Sequence, residues 1–226
     1  MTPLSEGEPL EAESLEAMPS EGEPSEADPL QGFRRLGGRP RFEGRLFAVE
    51  TVAYADPDGH EITRDVVRHP GAVSVVAAHG DGTVTLVRQV RVAVAAAVLE
   101  APAGTRDVDG EPPEVTARRE LEEEAGLRAA RLERLGSVYN SPGYTDQRTI
   151  LYLATDLTPG ETQPSGAEER WMTTERIALC DVERLVADGR LLDATTIAGL
   201  LLARHALGHG KPVQEGSAVS VQEAPR

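Results

Sequence analysis

The stretch 101–127, APAGTRDVDGEPPEVTARRELEEEAGL, constrains what this chain can fold into more than any other. From Pro113 to Ala125 most residues are good helix formers. Pro112 and Pro113 suit a first turn, where a missing N–H costs nothing, and Gly126 suits a left-handed stop. The pattern predicts a helix over 113–125. Residues three and four apart share a helix face, so Glu120, Glu123 and Glu124 project together. Like charges at that spacing repel, and the helix is disfavoured unless a cation rests on them. Hard divalent ions such as Mg²⁺ or Mn²⁺ prefer such oxygen ligands. Leu121 and Ala125, with Val115 and Ala117, are expected to face the interior. The glycine-containing turn 104–110 lets backbone and carboxylates approach a ligand closely. A lone Glu-rich helix is usually a solvated face. What sets this one apart is the fixed order Arg119-Glu120-Leu121-x-Glu123-Glu124-x-Gly126-Leu127, with Glu111 eight residues before Arg119.

Charge bears on what such a site can bind. The 226 residues carry a net charge of −15. Residues 1–32 hold nine acids and no Lys or Arg, which leaves 29 acids against 23 bases in the rest. A domain of that balance without a basic cluster argues against binding nucleic acid. Free nucleotides remain open, because a metal bridges acids to phosphates. Cys180 is the only cysteine, which rules out an intrachain disulfide and fits a reduced, cytoplasmic protein. No apolar run reaches the roughly 18 residues of a membrane helix. The acidic N-terminus does not read as a signal peptide.

Along the chain, SEGEP occurs twice in the first 32 residues among Glu, Pro, Ser and Ala. Such a segment buries too little apolar surface to offset chain entropy. The expected organisation is a disordered acidic tail over 1–38, a folded domain over 39–208 and a flexible tail over 209–226. The domain opens with an antiparallel hairpin over 39–70: strands at 46–55 and 61–68 flank the turn signal Asp56-Pro57-Asp58-Gly59. Further strands are expected at 72–78, 83–90, 98–101, 132–138, 149–154 and 171–177. Helices are expected at 181–188 and from an Asp193 cap to Gly208. Mixed strands with helices on both faces give an α/β/α sandwich around a mixed sheet, with an N-terminal antiparallel extension.

The acidic string resembles the Nudix box, G-x5-E-x7-R-E-U-x-E-E-x-G-U with U aliphatic. Glu111–Leu127 match it at every specified position. Gly104 stands seven residues before Glu111 instead of six, so the loop is one residue longer. Three further stretches are similar to the subgroup that hydrolyses ADP-ribose and other nucleoside-diphosphate sugars: Arg68-His69-Pro70-Gly71-Ala72-Val73, Arg88-Gln89-Val90-Arg91 leading to Glu100-Ala101-Pro102-Ala103-Gly104, and Ser141-Pro142-Gly143-Tyr144-Thr145-Asp146. The longer loop TRDVDGEPP resembles actinobacterial members.

The resemblance implies roles. Glu120 and Glu124 hold Mg²⁺ or Mn²⁺, Glu123 shares an ion or holds a ligand water, and the Ala103 carbonyl is a further ligand. Glu111 is an accessory acid, and Arg119 orients a box glutamate. A loop glutamate, Glu168 or Glu169, is the candidate base, with Glu168 preferred. Arg88 and Arg91 are candidates for contacting the diphosphate or the adenosine ribose, with a structural salt bridge as the alternative for either. Glu100 is a candidate acceptor for the nucleoside, and Ser141, Gly143 and Tyr144 for lining the terminal ribose pocket. Phe47 or Tyr54 are candidates to stack on adenine. The subgroup implies a homodimer in which the N-terminal strands complete the partner's site. The expected reaction is metal-dependent hydrolysis of ADP-ribose to AMP and ribose 5-phosphate. Two alternatives are another nucleotide as substrate and a non-catalytic ADP-ribose sensor. The complete set of box acids favours an enzyme over a sensor.

Overall fold

The computed structural model describes residues 30–163 and 169–208, except the side chain of Glu169. The expected tails over 1–29 and 209–226 lie outside the described residues. The chain divides into two compact units: Met1–Pro70 with Ser141–Gln147, and Gly71–Asn140 with Arg148–Arg226.

In the first unit, β1 (Arg34–Glu43), β2 (Ala48–Ala55) and β3 (Glu61–Arg68) form an antiparallel sheet in that order. The expected hairpin is present as β2 and β3, with Gly59 at φ 90° in the turn. The expected tail over 1–38 needs correction, because β1 begins at Arg34. Its sequence RRLGGRPRFE lacks alternation, and register shifts at Arg35/Gly37 and Pro40/Phe42 accommodate the glycines and Pro40. Such an edge strand is recruited by its partner more than by its own propensity. Glu50 ties the sheet together, taking Arg35 Nη2 at 2.7 Å and Arg68 Nη2 at 2.9 Å. The Ser141–Gln147 segment docks on β3: Val67 N–H donates to the Tyr144 carbonyl at 2.8 Å, and His69 N–H to Asp146 Oδ1 at 3.0 Å.

The second unit is built on a seven-stranded mixed sheet. Its strands are β4 (Ala72–Ala78), β5 (Thr83–Arg91), β6 (Ala96–Glu100), β7 (Ala103–Thr105), β8 (Leu127–Tyr139), β9 (Arg148–Pro159) and β10 (Thr173–Ala178). The order is β10-β5-β4-β9-β8, with β6 on β5 and β7 on β4. Strands β4 and β9 run parallel and the other pairs antiparallel. Alternation along β4 assigns the two faces. Val73, Val75 and Ala77 pack with Ala117 and Leu121 of helix α1 (Pro113–Ala125). Val76 and Ala78 pack with Val182 and Leu185 of α2 (Val182–Ala187) and Leu200 and Ala203 of α3 (Ala194–Ala206). This is the expected α/β/α sandwich.

The helix over 113–125 forms as read, with Gly126 left-handed at φ 62° and its N–H on the Glu122 carbonyl. One inner position differs. Val115 is half exposed, and Thr116 is buried in its place beside Ala117. Strands β8 and β9 are longer than their apolar runs suggest, because they pair as one ribbon from Leu127↔Pro159 to Tyr139↔Arg148. Trp171 lies in a single 3₁₀ turn (Glu169–Trp171), exposed, and not in the strand expected at 171–177.

Candidate active site

Helix α1 lies against the short strand β7, and the glutamates converge there. Ala103 N–H donates to Glu124 Oε2 at 2.9 Å. Glu120 lies so close over Gly104 that a Cβ there would meet its Cδ at 2.0 Å and its Oε1 at 2.1 Å. Only glycine fits under this carboxylate, which is the close approach that the turn 104–110 suggested.

Arg119 gathers the remaining acids. Its Nη1 donates to Glu120 Oε1 at 2.8 Å and Glu123 Oε2 at 3.0 Å, and its Nη2 lies 3.5 Å from Glu111 Oε2. Burial alone would lower the guanidinium pKa, but Glu120, Glu123 and Glu111 outweigh it and hold it raised. Glu111 is fixed from the helix side by Thr116, whose hydroxyl donates to Oε2 at 2.7 Å. That bond, aided by Arg119, holds the Glu111 carboxyl below the usual glutamate range. Thr116 carries no role in the sequence reading. Its signal is a hydroxyl on the inner face of the helix, five residues after the acid it holds.

Four carboxylates against one guanidinium leave a net negative, all-oxygen pocket, which suits a hard divalent ion. Gly104 keeps the backbone of β7 open to it. Glu111, Glu120, Glu123, Glu124 and the Ala103 backbone therefore fit the ion set that the box implies. Among the described residues, the only trio with ligand atoms within 4.8 Å of one another is Asp56, Asp58 and His60, in the β2–β3 turn of the other unit. The box acids are instead engaged by Arg119, Thr116 and the Ala103 N–H.

A cleft of about 480 Å³ opens beside Glu123 and Glu124, lined also by Thr162, Arg170, Met172, Thr173 and Thr174. None of these five was singled out from sequence, because β10 and the preceding turn reach the box only through sheet pairing. Glu168 and the Glu169 side chain lie outside the described residues, although Glu169 begins the 3₁₀ turn that carries Arg170 into this cleft.

The two candidate arginines of β5 alternate in side-chain direction, yet both line one cleft of about 650 Å³ with Glu100, Arg190 and Asp193. Thr85 pairs with Ala77, so Thr85, Val87, Gln89 and Arg91 share the α1 face. Val87 pairs with Glu100, which places Glu100 there as well. Arg91 grips Glu100 with Nε at 3.0 and 3.1 Å and Nη2 at 2.6 Å. The Glu100 hydrogen bonds raise the Arg91 pKa against burial, and the charges of Glu100, Glu124 and Asp193 add to the effect. Arg88 instead shares the face of Val84 and Leu86, toward α2 and α3. There it bonds Glu175 at 2.8 Å, with Arg190 on the other oxygen at 3.5 Å. The structural salt bridge is the arrangement seen for Arg88. Ser141, Gly143 and Tyr144 form the turn docked on β3 in the first unit, where Tyr144 N–H donates to the Ser141 carbonyl at 3.1 Å and the Tyr144 ring is exposed.

The acid-lined helix seated on the strand of Gly104 is the arrangement that the box resemblance implies. Residues 68–193 match the NUDIX domain, and the chain belongs to that family. It is 36% identical over 178 residues to an ADP-ribose pyrophosphatase of Mycobacterium tuberculosis, covering 79% of this chain and 86% of that one. It is 34% identical over 155 residues to an ADP-ribose pyrophosphatase of Bacillus subtilis, covering 69% and 83%. A solved structure titled as an ADP compounds hydrolase superposes with a TM-score of 0.70 at 26% identity, over 81% of this chain and 99% of that chain.

Proposed function

We propose that this chain hydrolyses ADP-ribose to AMP and ribose 5-phosphate, using Mg²⁺ or Mn²⁺. A water oxygen bonds to one phosphorus of the diphosphate, the P–O–P bridge breaks, and the water proton passes to a base. The observation that carries the reading is the complete acid set on α1 and the loop before it, with Glu120 seated on Gly104. The names of the similar enzymes support ADP-ribose as the substrate.

Glu120 and Glu124, with Glu123, Glu111 and the Ala103 carbonyl, would hold the ions. Bound there, divalent ions neutralise charge developing on phosphate oxygens and acidify the attacking water. Arg119 keeps Glu120 and Glu123 oriented through its two Nη1 bonds. Arg91 binds a phosphate oxygen of the diphosphate. Glu168 is the assigned base, with Glu169 the second candidate. Ser141, Gly143 and Tyr144 take the terminal ribose. The exposed Phe42 and Phe47, with ring centroids 6.0 Å apart, support an apolar dimer contact through the N-terminal sheet of a homodimer. Among the described residues no helix is long and apolar enough to cross a membrane, and we assign a cytoplasmic location.

The test is a hydrolysis panel of ADP-ribose, other nucleoside-diphosphate sugars, FAD, NADH and 8-oxo-dGTP with Mg²⁺ or Mn²⁺. ADP-ribose is expected to give the highest kcat/KM. A preference of about tenfold or more for another substrate overturns the assignment, since that gap is a full 1.4 kcal/mol in transition-state binding.

A further inference from the structure

We propose that Arg106, Arg134 and Arg148 form an oxyanion site on the α1 face of the sheet, built from residues that the box does not use, and that it takes a dianionic phosphate group. Sheet register puts the three on one face. Glu120 lies over Gly104, so Gly104 faces α1, and Arg106 two residues on shares that direction. Arg106 N–H donates to the Gly71 carbonyl at 3.1 Å, which carries the β7–β4 ladder one step past Ala72↔Thr105. Across β4, Arg148 follows the parity of Ile150 and Tyr152, both packed on the α1 side. Arg134 pairs with Tyr152 and Ser137 with Ile150, so these residues of β8 join the same face.

Gly71 opens the middle of this row. A Cβ there would stand 4.0 Å from Arg106 Cδ, so the Arg106 stem lies beside Gly71 with no side chain in its way. The donors are left over. Arg106 Nε is buried without a hydrogen-bond partner, and neither Arg106 nor Arg134 has a side-chain hydrogen bond or ion pair among the described residues. Nε is sealed off, so the Nη groups of Arg106 are the ones presented to an anion. Arg148 gives Nε and Nη2 to Ser137 Oγ at 2.9 and 2.8 Å, which keeps Nη1 for another acceptor. Glu114, bonded to the Tyr152 hydroxyl at 3.1 Å, brings a carboxylate to this face, yet none of the three arginines pairs with it. A guanidinium that gives up water on one side without gaining a partner costs free energy. Phosphate oxygens supply that partner, because planar N–H forks match them and a doubly charged group answers several arginines at once.

Binding is read on the full chain in EDTA, without turnover, so the outcome is independent of the proposed hydrolysis. Inorganic phosphate is titrated at constant ionic strength, by calorimetry and by NMR of the arginine Nε–H signals. The wild-type chain is expected to bind with a Kd of about 1 mM or tighter and to shift the protected Arg106 signal. Arg134→Ala and Arg148→Ala, both at exposed positions, should each weaken binding about tenfold, the loss of one charge-assisted contact. Arg106→Leu should weaken it at least as much, and if that variant does not fold the two exposed ones carry the test. Glu114→Gln, which removes the opposing charge and keeps an acceptor for Tyr152, should tighten binding about twofold. No binding by the wild-type chain up to about 10 mM phosphate overturns the proposal. An unchanged Kd in both Arg134→Ala and Arg148→Ala overturns it as well. Loss in Arg91→Ala with none in Arg134→Ala would place the anion in the cleft beside Glu100 and also overturn it. Ribose 5-phosphate run in place of phosphate separates the two sources: tighter binding than phosphate supports a phosphate monoester as the occupant, and equal or weaker binding supports free phosphate.

Discussion

Gly104→Ala tests the seat of the box most directly. A Cβ at this position would stand 2.0 Å from Glu120 Cδ, 2.1 Å from Oε1 and 2.4 Å from Cγ, against 3.4 Å for ordinary contact. Going from 2.0 to 3.4 Å, the carboxylate must retreat by about 1.4 Å. The obstructing group is the end of a flexible side chain, so the fold survives. An off-rotamer side chain costs about 0.5–1.5 kcal/mol, and the weakened pair with Arg119 about 1 kcal/mol or less. The expected stability loss is thus about 1–2 kcal/mol, a few degrees in Tm for a chain of this size. Function should suffer far more, since a misplacement of about 1 Å in a catalytic constellation costs on the order of 100-fold. Hydrolysis assays should show that loss in kcat/KM, and calorimetric titration with Mn²⁺ should show weaker cation uptake at unchanged circular dichroism. A Gly104→Ala enzyme within twofold of wild type in both measurements would mean that Glu120 does not work from its seat on β7.

Glu124→Gln keeps an oxygen for the Ala103 N–H but removes a charge from the ion set. Turnover should fall by about 100-fold or more with Tm nearly unchanged, and a merely twofold loss would contradict its assignment as an ion ligand. Asp193 caps α3, accepting from Thr196 N–H at 2.7 Å and Thr196 Oγ1 at 2.6 Å. Asp193→Ala should cost about 1–2 kcal/mol in urea unfolding, and an unchanged midpoint would remove the cap from the account. Tyr152 is buried, and its phenol is pushed up from 10.0 to about 12 by burial and by its bond to Glu114. The folded pKa lies above the unfolded one, so its contribution is complete below pH 10 and is lost as the pH rises from 10 through about 12. Tyr152→Phe should flatten that alkaline loss in a pH series of melts, and an equally steep loss in the variant would refute it.

The elements legible in the sequence are those whose cause is local. The helix over 113–125 and its stop at Gly126 follow from propensity and a left-handed glycine. Strands β3 and β4 begin and end where Gly59, Pro70, Gly71 and the apolar runs say they should. The mistaken boundaries have nonlocal causes. Strand β1 has little strand character of its own and exists because β2 offers it an edge. The far ends of β8 and β9 extend because each pairs with the other. The burial of Thr116 in place of Val115 is a matter of helix phase, since it is Thr116 that lies beside Ala117 on the inner face.

The same division runs through the site. A motif fixes which acids share a helix face, because that geometry is internal to one helix. It does not fix which of two arginines three residues apart on a strand meets them. In an extended chain, residues an odd number apart point to opposite faces, so Arg88 and Arg91 cannot both face α1. The face of each is set by partners far away in sequence: Ala77 across from Thr85 sends Arg91 toward the box, and the α2–α3 cluster around Val84 and Leu86 claims the side of Arg88. Glu175 and Glu100 then each pair one of the arginines at the cleft that both line. Which arginine of this strand shares the side of Thr85 and Val87 is therefore selected by sheet parity, and Glu100 pairs with that one.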